Sequence, residues 1–120
     1  MVKVLFLLKR RPGTTLEQFR DYYESTHSKL VPKGAPAAKR YFRKYLRPLQ
    51  GSPADVEPYY DGIMEIWFED QEALRNAPFN SDRELQRVIK EDELKFLDVT
   101  KIDGFVYEEH ETDLAIALKD

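Results

Sequence analysis

The sequence predicts an α+β domain in which four antiparallel strands carry two helices on one face. Three observations lead there. The first segment, Val2 to Lys9, is short, rich in β-formers and apolar on both faces at its centre. Two stretches with helical spacing each begin at a capping signal. The elements follow one another as strand, helix, strand, strand, helix, strand, the order of a split βαβ unit.

The first strand closes on Arg11-Pro12-Gly13, a turn signal. A strand apolar on both sides needs cover on both sides. Thr15 can cap the first helix, with Gln18 completing a capping box. Leu16, Phe19, Tyr23, Thr26 and Leu30 then recur at helical spacing until Pro32-Lys33-Gly34. The second strand runs from Ala38 to Leu46, with Phe42 on one face and Tyr41, Arg43 and Tyr45 on the other. A loop rich in Gly, Ser, Pro and Asp spans residues 48–58.

The third strand, Tyr60 to Phe68, sets Met64, Ile66 and Phe68 on a clean apolar face. Its other face mixes Asp61, Ile63, Glu65 and Trp67. Asp70 caps a short helix through Ala77, and Ser81 with Glu84 opens a longer one striped by Leu85, Val88, Ile89 and Leu94. The last strand covers Lys101 to His110. Residues 1–111 form the expected domain, and residues 112–120 an arm, a short helix or a frayed tail.

Composition narrows the function classes. The chain has 120 residues, of which 42% are hydrophobic and 34% charged, the balance of an ordinary globular protein. Mean hydropathy is -0.62, and no apolar run approaches the roughly 20 residues of a membrane helix. The absence of Cys excludes disulfides and thiolate chemistry and suits a cytoplasmic protein. Met1 leads straight into strand-like sequence, so no secretory signal is expected. Net charge is -3, which offers no global field to nucleic acid.

The element order is that of the ferredoxin-like βαββαβ arrangement, with both helices on one sheet face. The opposite face then lacks cover from its own chain, although the first strand is apolar on both faces and the third puts Ile63 and Trp67 on its mixed face. An exposed apolar sheet face invites a partner. Two sheets meeting across a two-fold axis would bury it, giving a homodimer whose barrel interior is the expected ligand space.

Several segments resemble the EthD family of dimeric α+β barrel proteins, in the family's order. They are Val4-Leu-Phe-Leu-Leu-Lys-Arg-Arg-Pro-Gly13, Leu16-Glu-Gln-Phe-Arg-Asp-Tyr-Tyr-Glu-Ser-Thr-His27, Tyr60-Asp-Gly-Ile-Met-Glu-Ile-Trp-Phe68, Phe96-Leu-Asp98 and Val106-Tyr-Glu-Glu-His110. The resemblance spans about residues 2–111 and departs at Tyr45, where the family often carries His, and at Tyr22-Tyr23, where Trp is common. It implies a dimeric α+β barrel and small-molecule chemistry without a cofactor or metal. Proteins of this architecture include lactone isomerases, polyketide cyclases, dehydratases, decarboxylases and cofactor-free monooxygenases. Fold alone does not choose among them.

His27 is the foremost candidate for chemistry, because imidazole titrates near neutral pH and can move a proton. Its expected place is the end of the first helix, where the helix dipole favours the charged form. Tyr41 and Tyr45 can hold a carbonyl, and Arg43 a carboxylate. Asp61 and Glu65 would have raised pKa values in an apolar cavity and could serve as acid or base. Phe6, Tyr23 and Trp67 are expected to line the pocket. His110 sits among Glu108, Glu109 and Glu111, but strand alternation spreads these over two faces and argues against a metal site. The basic, aromatic run from Lys33 to Arg47 reads as a solvated strand face rather than a nucleic-acid surface. The expectation is thus a cofactor-independent lyase or isomerase acting on a small aromatic or lactone-like ligand. The alternatives are a non-catalytic binding dimer that serves an oxygenase or degradation pathway, and a cofactor-free monooxygenase.

Overall fold

A computed structural model describes residues 1–49, 57–76 and 82–119. Strands β1 (Val2–Leu8), β2 (Arg40–Tyr45), β3 (Gly62–Phe68) and β4 (Asp103–Tyr107) form one antiparallel sheet in the order β2-β3-β1-β4. This is the expected four-stranded ferredoxin-like α+β sheet. The two central strands are the most apolar ones, as their burial requires.

Register assigns the faces. Val4 stands opposite Ile66 and Phe6 opposite Met64, all on the helix-covered side. Leu5 opposes Glu65, Leu7 opposes Ile63 and Lys3 opposes Trp67 on the open side. On β2, Tyr41, Arg43 and Tyr45 share the covered side, and Arg40, Phe42 and Lys44 the open one. The strands are shorter than the sequence suggests. Lys101 lies in a short 3₁₀ turn (Val99–Lys101) capped by Asp98, so β4 begins only at Asp103.

The first helical region is three segments in series. Helix α1 (Leu16–Tyr22) starts at the expected capping box, with Thr15 and Gln18 each bonding the other's backbone. A π-helical segment, Tyr23–His27, follows, and helix α2 (Ser28–Gly34) completes the run. Phe19, Tyr23 and His27, each four residues on from the last, are buried, whereas Thr26, expected in the stripe, is exposed. Pro32 lies inside α2, which ends two residues later. At Gly34 a Cβ would stand 2.5 Å from Ile89 Cδ1, so the crossing of α2 with the later helix depends on glycine there.

Asp70 caps α3 (Gln71–Arg75) as expected; Ala77, its expected end, lies outside the described residues. So does Ser81, the expected cap of the next helix. The cap shown is Asp82, whose carboxylate accepts from Leu85 N at the start of α4 (Arg83–Glu93). Ile89 and Asp92 are the buried residues of α4, while Val88 and Leu94 are exposed. Its inward stripe thus runs toward Asp92 and Glu93, not toward Leu94. The tail carries a short helix, α5 (Leu114–Ala117), capped by Asp113. No helix among the described residues is long and apolar enough to cross a membrane.

Two apolar clusters fill the space beneath the helices. Val4, Ala35, Ile66 and Phe68 form one, and Leu8, Phe19, Tyr23, Phe96 and Leu97 the other. Phe19 is 1% exposed and meets the rings of Tyr23, Tyr45 and Phe96. Phe19→Ala is expected to cost about 3–5 kcal/mol of stability through lost transfer energy and the cavity left behind. Urea unfolding measures it; a loss below about 1 kcal/mol would mean that the surrounding rings close the gap.

Candidate active site

Strand β1 supplies Val4, Phe6 and Leu8 to a cavity, and β3 supplies Met64, Ile66 and Phe68. Val31, Gly34 and Ala35 of α2, Ile89 of α4, and Leu97 and Ile102 complete its apolar walls. The volume is about 290 Å³, near the lower end of small-molecule sites at roughly 300 Å³. Its polar lining comes from Tyr23, His27, Gln86 and Glu93. The cavity lies between the sheet and its own helices. That differs from the sequence-based expectation of a ligand space between two sheets.

The π segment places His27 here, 4% exposed and edge-on to Tyr23, with Phe96 against its ring. His27 Nδ1 lies 2.9 Å from Asp92 Oδ2. Tyr22 donates its hydroxyl to the other oxygen of Asp92, and Lys95 Nζ stands 3.8 Å from that oxygen. Burial pushes the His27 imidazole below its ordinary 6.5, and Asp92 only partly offsets this. The expected helix-end imidazolium is therefore replaced by a neutral ring inside the helical run. A carboxylate beside Nδ1 fixes that nitrogen as the N–H donor and leaves Nε2 as the free base. Nε2 has no hydrogen-bond partner among the described residues.

The remaining sequence candidates divide by sheet face. Phe6 and Tyr23 line the cavity with His27. Tyr41 donates its hydroxyl to Tyr23 at 2.8 Å, and burial pushes the Tyr41 phenol up to about 12. Arg43 grips Glu24 with two bonds of 3.0 and 2.8 Å, so its fork is already filled. Tyr45 donates to the same carboxylate. Both sit beside the cavity rather than in it.

Glu65 and Trp67 project from the open face, away from the cavity. Burial alone would raise the Glu65 carboxyl, but Lys44 at 2.6 Å and Tyr107 at 2.8 Å outweigh it and hold the pKa below 4.5. The expected raised carboxyl is thus a lowered one. Trp67 donates to Tyr107 and lies under Lys3 and Arg40. Asp61 is 2% exposed, and two cations hold it, Arg10 at 2.6 Å and Lys9 at 3.3 Å. It pins the end of β1 to the segment before β3. His110 is exposed and contacts Glu108 at 2.6 Å.

The sequence reading missed Asp92, Tyr22 and Glu93. Asp92 carried a signal. It falls three residues after Ile89 on the apolar stripe of α4, where a carboxylate needs a buried partner.

Four antiparallel strands with helices packed on one face define a ferredoxin-like α+β domain. A family model of the EthD domain matches residues 11–100. The chain belongs to the EthD family. Among solved structures it is similar to an EthD-family protein of Bacillus halodurans, at 21% identity and TM-score 0.65, over 92% of this chain and 100% of that one. A protein of Arabidopsis thaliana is similar at 17% identity and TM-score 0.63, over 95% and 100%. A Bacteroides fragilis protein described as dimeric, ferredoxin-like and of unknown function is similar at 12% identity and TM-score 0.56, over 90% and 95%. At these identities the likeness concerns the fold. A comparison with curated proteins finds no match.

Proposed function

We propose that the protein is a cofactor-independent lyase or isomerase that uses His27 to move a proton on a small aromatic or lactone-like ligand. One observation carries this reading. His27 Nδ1 is held by the buried Asp92, while the ring lines a mostly apolar cavity and its Nε2 has no hydrogen-bond partner among the described residues. A carboxylate that orients an imidazole and stabilises its charged form is the arrangement by which proteins turn histidine into a base. Tyr41 and Tyr45 brace the helix from β2, and Phe6 shapes the wall.

The test is the pH–rate profile on a substrate found by screening carbonyl compounds for solvent-deuterium exchange. A lowered imidazole pKa means that neutral base is present at pH 6.5 and above, and that the rate falls only as pH drops below it. Tyr45→Phe is expected to leave that limb in place, because Tyr45 bonds Glu24 and not His27. A profile flat through the imidazole range in wild type, or a limb moved by Tyr45→Phe, would overturn the assignment.

The apolar walls also favour a second reading, a binding protein without turnover. Tight ligand binding with no chemical change, equal in wild type and His27→Ala, would select it.

The same proposal includes a homodimer joined through open sheet faces. Leu5, Leu7, Phe42, Ile63 and Trp67 lie on that face with Phe105, which is 53% exposed. Sedimentation at micromolar concentration is expected to give about twice the 14.2 kDa chain mass. A stable folded monomer would exclude the barrel.

A further inference from the structure

We propose that Glu93 is the second acid–base group of the cavity, a protonated carboxyl that holds the carbonyl oxygen of an uncharged, largely hydrocarbon ketone or lactone. This rests on His27 being the group that takes a proton from the adjacent carbon. Gln86, Ile89 and Glu93 are spaced three and four apart on α4, and all three line the cavity. That spacing puts them on one helix face. Tyr23 and His27 line the same cavity from the first helical run.

The Glu93 carboxyl has no ion pair or side-chain hydrogen bond among the described residues. Other carboxylates near the helices and sheet are held. Asp92 has His27 and Tyr22, Glu24 has Arg43, and Asp61 has Arg10. An unpartnered carboxyl against apolar walls is more stable protonated. Burial raises the pKa of Glu93; Lys90 on its own helix works against this and Asp92 adds to it. Glu93 is also the last residue of α4, where the helix dipole disfavours negative charge. Among the described residues, the charged or titratable groups facing it across the cavity are His27 and Tyr23.

The ligand class follows from what the lining lacks. Among the described residues no Lys or Arg lines the cavity, so a carboxylate or phosphate on the ligand would be buried without a counter-charge. A neutral carbonyl compound matches both polar groups. His27 Nε2 takes the proton of the carbon next to the carbonyl, and the C–H electron pair becomes a C=C bond. The carbonyl π pair takes the proton of Glu93, giving an enol, glutamate and imidazolium. In an isomerisation the enol returns its proton to Glu93, and His27 delivers its own at a different carbon. Protons and electrons then balance with no other reactant.

The experiment uses the full chain, with β-tetralone as neutral probe and β-naphthoate as its anionic counterpart. Calorimetric titration across pH reads affinity, and exchange of the benzylic hydrogens in heavy water reads proton transfer. The expected result is that β-tetralone binds at least about tenfold more tightly than β-naphthoate. Its affinity should fall by about threefold or more as pH rises through the ionisation of Glu93, the worth of one hydrogen bond. Glu93→Gln keeps a donor and should hold the affinity while abolishing its pH dependence. His27→Ala should keep both and lose the exchange. Failure of β-tetralone to bind, equal binding of β-naphthoate, or an unchanged pH dependence in Glu93→Gln overturns the inference. Exchange that survives His27→Ala overturns the His27 reading instead, and leaves Glu93 tested by its own pH dependence.

Discussion

Replacing His27 by alanine is expected to lower turnover by roughly 10²–10⁴-fold while the chain stays folded, the usual worth of a positioned general base. The size of the effect follows from what else the cavity holds. Among the described residues its other polar groups are Tyr23, Gln86 and Glu93. Burial holds the Tyr23 phenol well above its ordinary range, so it cannot serve as a base near neutrality. Burial raises the pKa of Glu93, which favours its protonated form, an acid rather than a base. Alanine would leave no substitute. Asp92 would keep Tyr22 as a donor, which limits the cost to folding. Steady-state kinetics with far-UV dichroism as the fold control decides the matter. A drop below about tenfold in a folded variant would reduce His27 to a packing residue.

Asp92→Asn is expected to lower turnover by a comparable order, roughly 10² to 10⁴, by acting on His27 rather than on the ligand. The amide keeps the shape but removes the charge, and its NH₂ group can donate to Nδ1. The imidazole would then carry its proton on Nε2, the nitrogen that must accept one. The pKa of His27 shifts too. Burial lowers it and Asp92 raises it, so the asparagine variant leaves burial less opposed. The acid limb of the residual activity should move to lower pH. A large rate loss with an unmoved limb would show that Asp92 matters for folding and not through His27.

The sheet was legible because strand patterning is local. Val4, Phe6 and Leu8 alternate with Lys3, Leu5 and Leu7, and the same two-residue period sorts Met64, Ile66 and Phe68 from Glu65 and Trp67. His27 was legible as a residue, through its family context, but its surroundings were not. A 3.6-residue period admits either Thr26 or His27 after Tyr23, and the chain buries His27, the fourth residue on, within a π turn. Nothing in the local sequence of Tyr23–His27 demands that turn. The partner Asp92 lies 65 residues away and is reached only through the packing of two helices. Arg43 and Glu65 looked like ligand groups because strand position tells which face a side chain takes, not which charge waits there. Glu24 and Lys44 fill both of them.

The π turn is a local excess of length in an otherwise α-helical run. The residues before it and after it are ordinary helix, so its one surplus residue can be removed without altering either. A chain shortened by one residue between Tyr23 and His27 would close the wide turn into α-helix, and the two rings would stand three residues apart instead of four. The imidazole would then meet Asp92 and the cavity from a changed angle. The imidazole, its carboxylate partner and the cavity thus come together at the one turn of this run that a single deletion would regularise.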